Sequence, residues 1–476
     1  GPWVLRWWLP NFFAGGPGSS AEDAWWLTSL VVEQCMVSDT IFTAGIADIL
    51  KCFDQIVRPL LEAILLLAGM PAKIVSAYMR FHDNVSVYNS LAGGYGKAYK
   101  KRCSIPQGCP FSMMFIALLM LPWVVMCSSM GLQPRVLADD IMLSTVGRDG
   151  AHFSVWVEGF DKTHEYVEDL GSKLAPSKSF TCSTDKNFRT WLREHTWDKV
   201  GDKIDVKNHF RDLGAHLNLG GGPRGKTLTD RMAKALTTVS KIAWLPHDTT
   251  NKIRFIFASA YSGGLYGCES THVSEVMLAR LSTAVCKVVG PLGKNRSREL
   301  AFALWGEKLD PDPEMYILTK RVIKLRRMIC KFPTVKKMVL ETLQIYTSAK
   351  HVGTEHNDTV LSNLSIAPPP GGPNRQCWKP KVSPAGPIGL LLQDLHFKAM
   401  VLNMDLDIRC HSEVNVSVVA CPWQYLKPLV YQMANRSRIA LSCASRSLLE
   451  GTKEIDFGCL ITVSYTHLTL PTSSVV

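Results

Sequence analysis

An α+β fold built around an antiparallel sheet is the class this sequence predicts, and three observations point to it. Thr40–Ala47 alternates loosely, is rich in β-forming residues and ends at Asp48. Arg135–Ala138 and Ile141–Val146 read as the two arms of a hairpin with an acidic pair at its tip. Between and beyond these strands, long stretches carry the apolar spacing of helices. The chain has 476 residues, enough for about two to four domains, and its 46% hydrophobic and 20% charged content is that of an ordinary globular protein.

Taken in order, Ala14–Ser20 is a Gly-rich turn, and Ser and acidic residues ahead of Ala24–Met36 mark a helix start. After the strand that ends at Asp48, helices are predicted over Pro59–Leu67 and Ala72–Phe81, and a β-hairpin over Asn84–Tyr99 with Gly93-Gly94 inside it. The apolar run within 112–127 predicts a buried helix. Its 15-residue core, Met113–Cys127, contains Pro122 and falls short of the roughly 20 apolar residues that cross a bilayer, so no membrane partner is expected. Glu158–Leu170 is a predicted helix, followed by short strands near Lys178–Cys182 and Phe210–Leu217. Gly220–Gly225 reads as a domain boundary, and Leu228–Trp244 and Thr249–Ser262 as helices with basic residues outward. Pro368–Pro373 opens a stiff linker that runs to Pro387, beyond which the pattern is too weak to classify. The last stretch, from Val463, resembles a translated adaptor tail and is set aside.

The formal charge is +12, from 53 basic and 41 acidic residues, an excess that suits a polyanionic partner. The 14 cysteines include no CxxC pair, which speaks against zinc-finger spacing and a disulfide framework and for reduced thiols. The chain begins Gly1-Pro2 without a signal-peptide pattern and reads as a fragment of a longer protein.

Three motifs carry the chemistry, and their order matters most. They are Asp48-Ile-Leu-Lys-Cys-Phe-Asp54 after a strand, Ile105-Pro-Gln-Gly-Cys-Pro-Phe-Ser112 before the buried helix, and Leu137-Ala-Asp-Asp140 at a hairpin tip. Phosphoryl transfer to a hydroxyl is mostly positioning and charge neutralisation, and two divalent ions held by hard carboxylate oxygens serve both needs. A carboxylate at one strand end facing a pair on a neighbouring hairpin provides such ligands.

With these motifs the sequence resembles reverse transcriptases, most closely those of non-LTR (LINE-like) retrotransposons, from about Gly15 to about Glu269. The resemblance implies a right-hand polymerase: an α+β palm with an antiparallel sheet, partial fingers and a helical thumb. It divides the chain into partial fingers (1–47), palm (48–219), helical thumb or connection (220–366), Pro/Gly linker (367–387), a C-terminal region of unknown fold (388–462) and the tail (463–476). It implies RNA-directed DNA polymerisation with two Mg²⁺ ions, Mn²⁺ being an alternative ion, and dNTPs added to a primer 3′-hydroxyl. Asp48 and Asp139 would be metal ligands, with Asp140 beside them in a supporting role in the same carboxylate set. Lys178, in Gly171-Ser-Lys-Leu-Ala-Pro-Ser-Lys178, would neutralise or protonate the leaving pyrophosphate. Phe53 would stand under the incoming sugar and exclude a ribose 2′-hydroxyl, where RNA-dependent RNA polymerases carry a carboxylate. Gln107 and Gly108 would lie against the template base and nucleotide. Phe210, Leu213 and Gly214 would form the primer grip, and Gly264-Leu-Tyr-Gly-Cys-Glu269 resembles the thumb that follows it.

The implied partners are an RNA template, a DNA primer or target DNA, dNTPs and the upstream part of the same polyprotein, in nucleus and cytoplasm. Leu137 departs from the family, which has Tyr or Phe there. The 17 residues before Gly18 hold only Arg6 as a candidate for the basic triphosphate clamp, so weak activity of the isolated chain is expected. Other members of the same hand (a group II intron maturase, an RNA-dependent RNA polymerase) and a dead or truncated relic that only binds nucleic acid are the competing expectations.

Overall fold

The computed structural model describes residues 2–16, 18–106, 108–220, 225–290, 298–348, 386–410 and 415–450, with side chains of the last helix to 439. It divides into two compact units, residues 1–27 with 39–208 and residues 28–38 with 209–476. The helix Ala21–Val37 contributes its first turns to one unit and its last turns to the other. The Pro/Gly linker between 368 and 385, Pro223 and the tail from Val463 lie outside the described residues.

The first unit is a mixed helix-and-sheet layer. Its strands are β1 (Ile41–Asp48), the small pair β2 (Ser90–Leu91) and β3 (Gly94–Tyr95), β4 (Gln133–Leu137), β5 (Asp140–Gly147), β6 (Phe180–Ser183) and β7 (Asp205–Val206). The main sheet runs β4-β5-β1-β6-β7, antiparallel except at β6/β7. β1 is its central strand, so residues assigned to partial fingers form the middle of the sheet. The segment before it also joins the sheet. Phe13 N–H donates to the Val136 carbonyl at 2.9 Å, and Val136 N–H to the Asn11 carbonyl at 3.0 Å.

The core of this unit lies between the sheet and its helices. Trp123, Trp156, Phe160 and Trp197 are fully buried in it, and Trp156 Nε1–H donates to the Leu143 carbonyl at 2.9 Å. Trp123 Nε1–H likewise donates to Thr163 Oγ1 at 3.0 Å, whereas Trp197 Nε1 is buried with no hydrogen-bond partner among the described residues, which costs free energy. Helix Gly150–Asp169 starts eight residues before the predicted Glu158, because Asp149 caps it by accepting Ala151 N–H at 3.1 Å. It packs hard on β1 at Gly45, where a Cβ would lie 2.4 Å from the Phe160 ring. The apolar run forms two helices, Ser112–Leu119 and Leu121–Ser129, broken at Met120 ahead of Pro122. Ser112–Ser129 is long and apolar enough to qualify as a membrane span by composition, yet Phe115, Ile116, Trp123, Val124 and Cys127 are all core residues here. A buried helix pair accounts for its hydropathy.

The second unit opens with the hairpin β8 (His209–Asp212) and β9 (Ala215–Asn218) and continues through helices Lys226–Ala243, Thr249–Phe255, Glu275–Val289, Pro313–Lys331 and Pro333–Ser348. A π-turn, Ile256–Tyr261, prolongs the second of these. The region left unclassified by sequence is a helix (Pro387–Phe397), a three-stranded sheet of β10 (Met400–Leu402), β11 (Asp407–Cys410) and β12 (Asn415–Ser417), and a long helix, Trp423–Glu450. Arg438 lies buried between Asp310 and Asp312, at 2.7 and 2.8 Å, and Arg321 pairs with Asp394 at 2.8 Å. These pairs bind the C-terminal region to the preceding helices within one unit.

Candidate active site

Strand register brings the predicted carboxylates together. β1 and β5 pair antiparallel with Asp48 opposite Asp140, and β4 and β5 close a two-residue turn, Ala138-Asp139, between Leu137 and Asp140. Directly opposed residues of an antiparallel pair lie about 4.5–5.5 Å apart at Cα, so two motifs distant in sequence share one sheet end. Ala138 takes φ +57° in that turn and Lys51 takes φ +46° just past Asp48. Left-handed backbone at non-glycine residues costs about 1–2 kcal/mol each, and such strain gathers at functional sites.

The carboxylates differ in environment. Burial holds the Asp139 carboxyl above its usual range, its own backbone N–H pulls it down, Asp48 pushes it up again and Lys178 offsets that push. Cys52, buried beside them, has its thiol pushed up to about 12, first by burial and then by the charges of Asp139 and Asp48. Asp140 faces a cation instead: buried Arg135 reaches its Oδ1 at 3.4 Å. Lys178 Nζ lies 3.7 Å from Asp48 Oδ2, with its side chain 63% exposed, an arrangement free to follow a ligand. Asp48 and Asp139 thus form a like-charged pair of hard oxygen donors with Lys178 at the edge.

Local hydrogen bonds fix Asp48 more firmly than sequence suggested. Its backbone N–H donates to Ser179 Oγ at 3.2 Å, and its carbonyl accepts Ala175 N–H at 2.8 Å. Leu50 N–H donates to the Lys173 carbonyl at 2.8 Å, and Gln55 Oε1 accepts Lys173 N–H at 2.7 Å. The Gly171–Lys178 segment is therefore stitched along the Asp48–Gln55 turn, which is what sets Lys178 beside Asp48. Ser179, Gln55 and Arg135 are supporting residues that the sequence analysis passed over. Arg135 stands two positions before Leu137 on β4 and so shares its strand face, which was the one local signal available for it.

Phe53 sits half-buried against the core on the short helix Cys52–Gln55. Its carbonyl accepts Ile105 N–H at 3.0 Å, and the Ile56 carbonyl accepts Ser104 N–H at 2.9 Å, so the Asp48–Asp54 and Ile105–Ser112 motifs are joined through backbone. Gly108 takes φ +89° in a turn closed by Cys109 N–H on the Pro106 carbonyl at 3.2 Å, and no atom lies within 4 Å of where its Cβ would be. That open, left-handed position suits glycine and leaves its backbone approachable. Gln107 lies outside the described residues.

The proposed primer-grip residues belong to the second unit. Leu213 (φ +46°) and Gly214 (φ +97°) form the two-residue turn of β8/β9, the geometry of a type I′ hairpin. Phe210 and Gly214 are buried, so Leu213 is the side chain of the three left with partial exposure. The hairpin tip is latched onto the Leu265–Glu269 segment: Arg231 donates to the Gly214 carbonyl and, at 3.1 Å, to the Tyr266 carbonyl, with its guanidinium 5.2 Å from the Tyr266 ring centre. Two motifs that the sequence showed separately are one packed feature.

Two carboxylates with a hard donor set match what Mg²⁺ takes from a protein, since it keeps waters and substrate phosphates for its remaining positions. Among the described residues no group of three or more His, Cys, Asp or Glu side chains converges closely enough for a closed metal cage. Burial, and after it the charge of Asp48, raise Asp139, and a cation at this point would offset both.

No family model and no curated protein matches the chain. Solved structures similar to it include telomerase from Candida tropicalis in complex with a TWJ fragment of telomeric RNA, at 11% identity and a TM-score of 0.31, over 59% of this chain and 51% of that one. Telomerase from Candida albicans in complex with a TWJ fragment of telomeric RNA is similar at 11% identity and a TM-score of 0.33, over 68% of this chain and 50% of that one. The chain therefore spans about half of each. At this identity and TM-score the likeness is too slight to carry weight.

Proposed function

We propose that this chain is an RNA-directed DNA polymerase of the non-LTR retrotransposon kind, with the first unit as palm and the helical part of the second as thumb. The observation that carries the proposal is the register that sets Asp48 opposite Asp140 with Asp139 in the adjoining turn. Asp48 and Asp139 would hold Mg²⁺, or Mn²⁺ in its place, while Arg135 keeps Asp140 aligned behind them. Bound ions would supply charge neutralisation at the triphosphate and a lowered pKa for the primer 3′-hydroxyl. Lys178, exposed and near Asp48, is suited to meet negative charge leaving on pyrophosphate. The Phe53 ring, anchored through its backbone to Ile105, is suited to bar a 2′-hydroxyl. Gly108 offers exposed backbone to a nucleotide or template base, and the β8/β9 hairpin would meet a primer through Leu213 and main chain rather than through buried Phe210 or Gly214.

Primer extension on an RNA template with a DNA primer, dNTPs and Mg²⁺ tests this directly. Asp139→Asn should lower the rate by roughly 10³-fold or more, since a metal ligand of this kind is worth several kcal/mol in the transition state. Extension that persists in the variant would exclude Asp139 from the chemistry.

A further inference from the structure

The Val85–Arg102 hairpin plays no part in the function just proposed, yet its surface is unlike that of a structural connection. Every residue from Tyr88 to Lys100 is exposed, including Tyr88 at 54%, Leu91 at 86% and Tyr95 at 80%. β2 and β3 pair over two residues each, around a left-handed turn at Ala92 (φ +48°) and Gly93 (φ +83°). So small a sheet gains little from its own side chains, and the rings of Tyr88 and Tyr95 meet only edge to face, with centroids 6.4 Å apart. Both rings remain more than half exposed.

The charge on this segment is one-sided. From Val85 to Ser112 there is no Asp or Glu, while Lys97, Lys100, Lys101 and Arg102 follow the tyrosines closely. Lys101 is held by Asp54 at 2.9 Å. Lys97, Lys100 and Arg102 form no ion pair among the described residues. Aromatic faces beside uncompensated cations are the surface that single-stranded nucleic acid recognises, bases stacking on the rings and phosphates meeting the cations. A bilayer would call for aliphatic side chains, of which the tip exposes Leu91 as its large example. Directly after Arg102 the chain is pinned to the catalytic turn through Ser104 and Ile105, so a strand seated here is tied to that motif by a short, fixed connection.

We infer that the Val85–Arg102 hairpin docks single-stranded nucleic acid, with Tyr88 and Tyr95 as stacking platforms and Lys97, Lys100 and Arg102 as phosphate contacts. On the function proposed above the strand is unpaired template RNA, an identification that rests on that proposal; the single-strand contact itself does not.

Fluorescence anisotropy of the full chain with a labelled oligouridine, in EDTA, measures the contact without any catalysis. Tyr88→Ala and Tyr95→Ala should each weaken binding about tenfold, and Tyr95→Phe should bind as the parent does because a π-face remains. Replacing Lys97, Lys100 and Arg102 together by Ser should flatten the dependence of log K on log salt by about 2, at roughly 0.7 per phosphate contact on a single strand. Unchanged oligouridine affinity in both sets overturns the inference. So does an equal loss on blunt duplex RNA in the tyrosine variants, which would remove stacking from the account. Loss of co-sedimentation with phosphatidylserine vesicles, with oligouridine binding intact, would reassign the hairpin to a membrane surface. Failure of the parent to extend a primer would strike the polymerase proposal and leave the binding result standing.

Discussion

Asp139, a metal ligand in the proposed function, is at the same time costly to the fold. Its carboxyl is held above the usual range mainly by burial, so at neutral pH its ionised form is less favourable in the folded chain than in the unfolded one. Asp139→Asn should therefore raise thermal stability in EDTA while extension is lost, whereas a purely structural carboxylate would lose stability on the same change. Phe53→Ala should leave the fold intact and relax discrimination against ribonucleotides by about 10- to 100-fold, read as the ratio of rNTP to dNTP incorporation. No change in that ratio would dismiss the ring as a gate. Glu33 makes the same point about burial more strongly. It is enclosed by Ile388 N–H at 2.9 Å, Gly389 N–H at 2.7 Å and the Tyr346 hydroxyl at 3.0 Å, and burial outweighs these donors to lift its pKa from 4.5 to about 7. A raised acid favours the protonated fold, so its contribution is fullest below pH 4.5 and declines as pH rises to about 7, by about 3 kcal/mol in all. The parent should lose stability across that window and Glu33→Ala should not; parallel slopes in both would refute the assignment.

At the scale of elements, turns decide what the strands can present. Leu213 occupies a left-handed position that glycine would fill without strain. Leu213→Gly should raise stability by about 1 kcal/mol, measured by denaturant unfolding, and weaken primer use if that side chain meets the primer. A stability loss would mean that its packing outweighs the backbone strain. The motif strands were legible from sequence because period-2 alternation and flanking turn residues are local signals: β1, β4 and β5 fall within a few residues of expectation, whereas the single short strand expected near Phe210–Leu217 is two strands turning at Leu213-Gly214. Helix Lys186–Glu194 was missed although the sequence carried its signals: Asp185 caps it through Phe188 N–H at 2.8 Å, and Phe188, Trp191 and Leu192 stand at i, i+3 and i+4.

Across the whole chain, long-range ionic pairs set the boundaries that composition could not. Arg438 is buried with Asp310, Asp312 and the Tyr431 hydroxyl, which donates to Asp310 Oδ2 at 2.9 Å. Removing one partner leaves charge stranded in the interior, and Arg438→Ala should cost about 3–5 kcal/mol of the second unit, seen by calorimetry. Adding Asp310→Asn and Asp312→Asn should restore part of it, and failure to restore any would point to lost packing instead of lost charge. The same network explains why residues after 386, whose fold the sequence left open, group with the preceding helices.

By itself the sequence determined which residues are chemically equipped and how each lies in its own turn or strand, because capping, alternation and glycine geometry act between near neighbours. Tertiary structure alone decided that Arg135 would hold Asp140, that Ser179 and Ala175 would fasten Asp48, and that Phe210 and Gly214 would be buried. Arg135 meets Asp140 across a hairpin, five positions away, but Asp48 and Ser179 are 131 positions apart and Arg438 and Asp310 128, and chain folding creates such contacts without leaving a periodic trace in either segment.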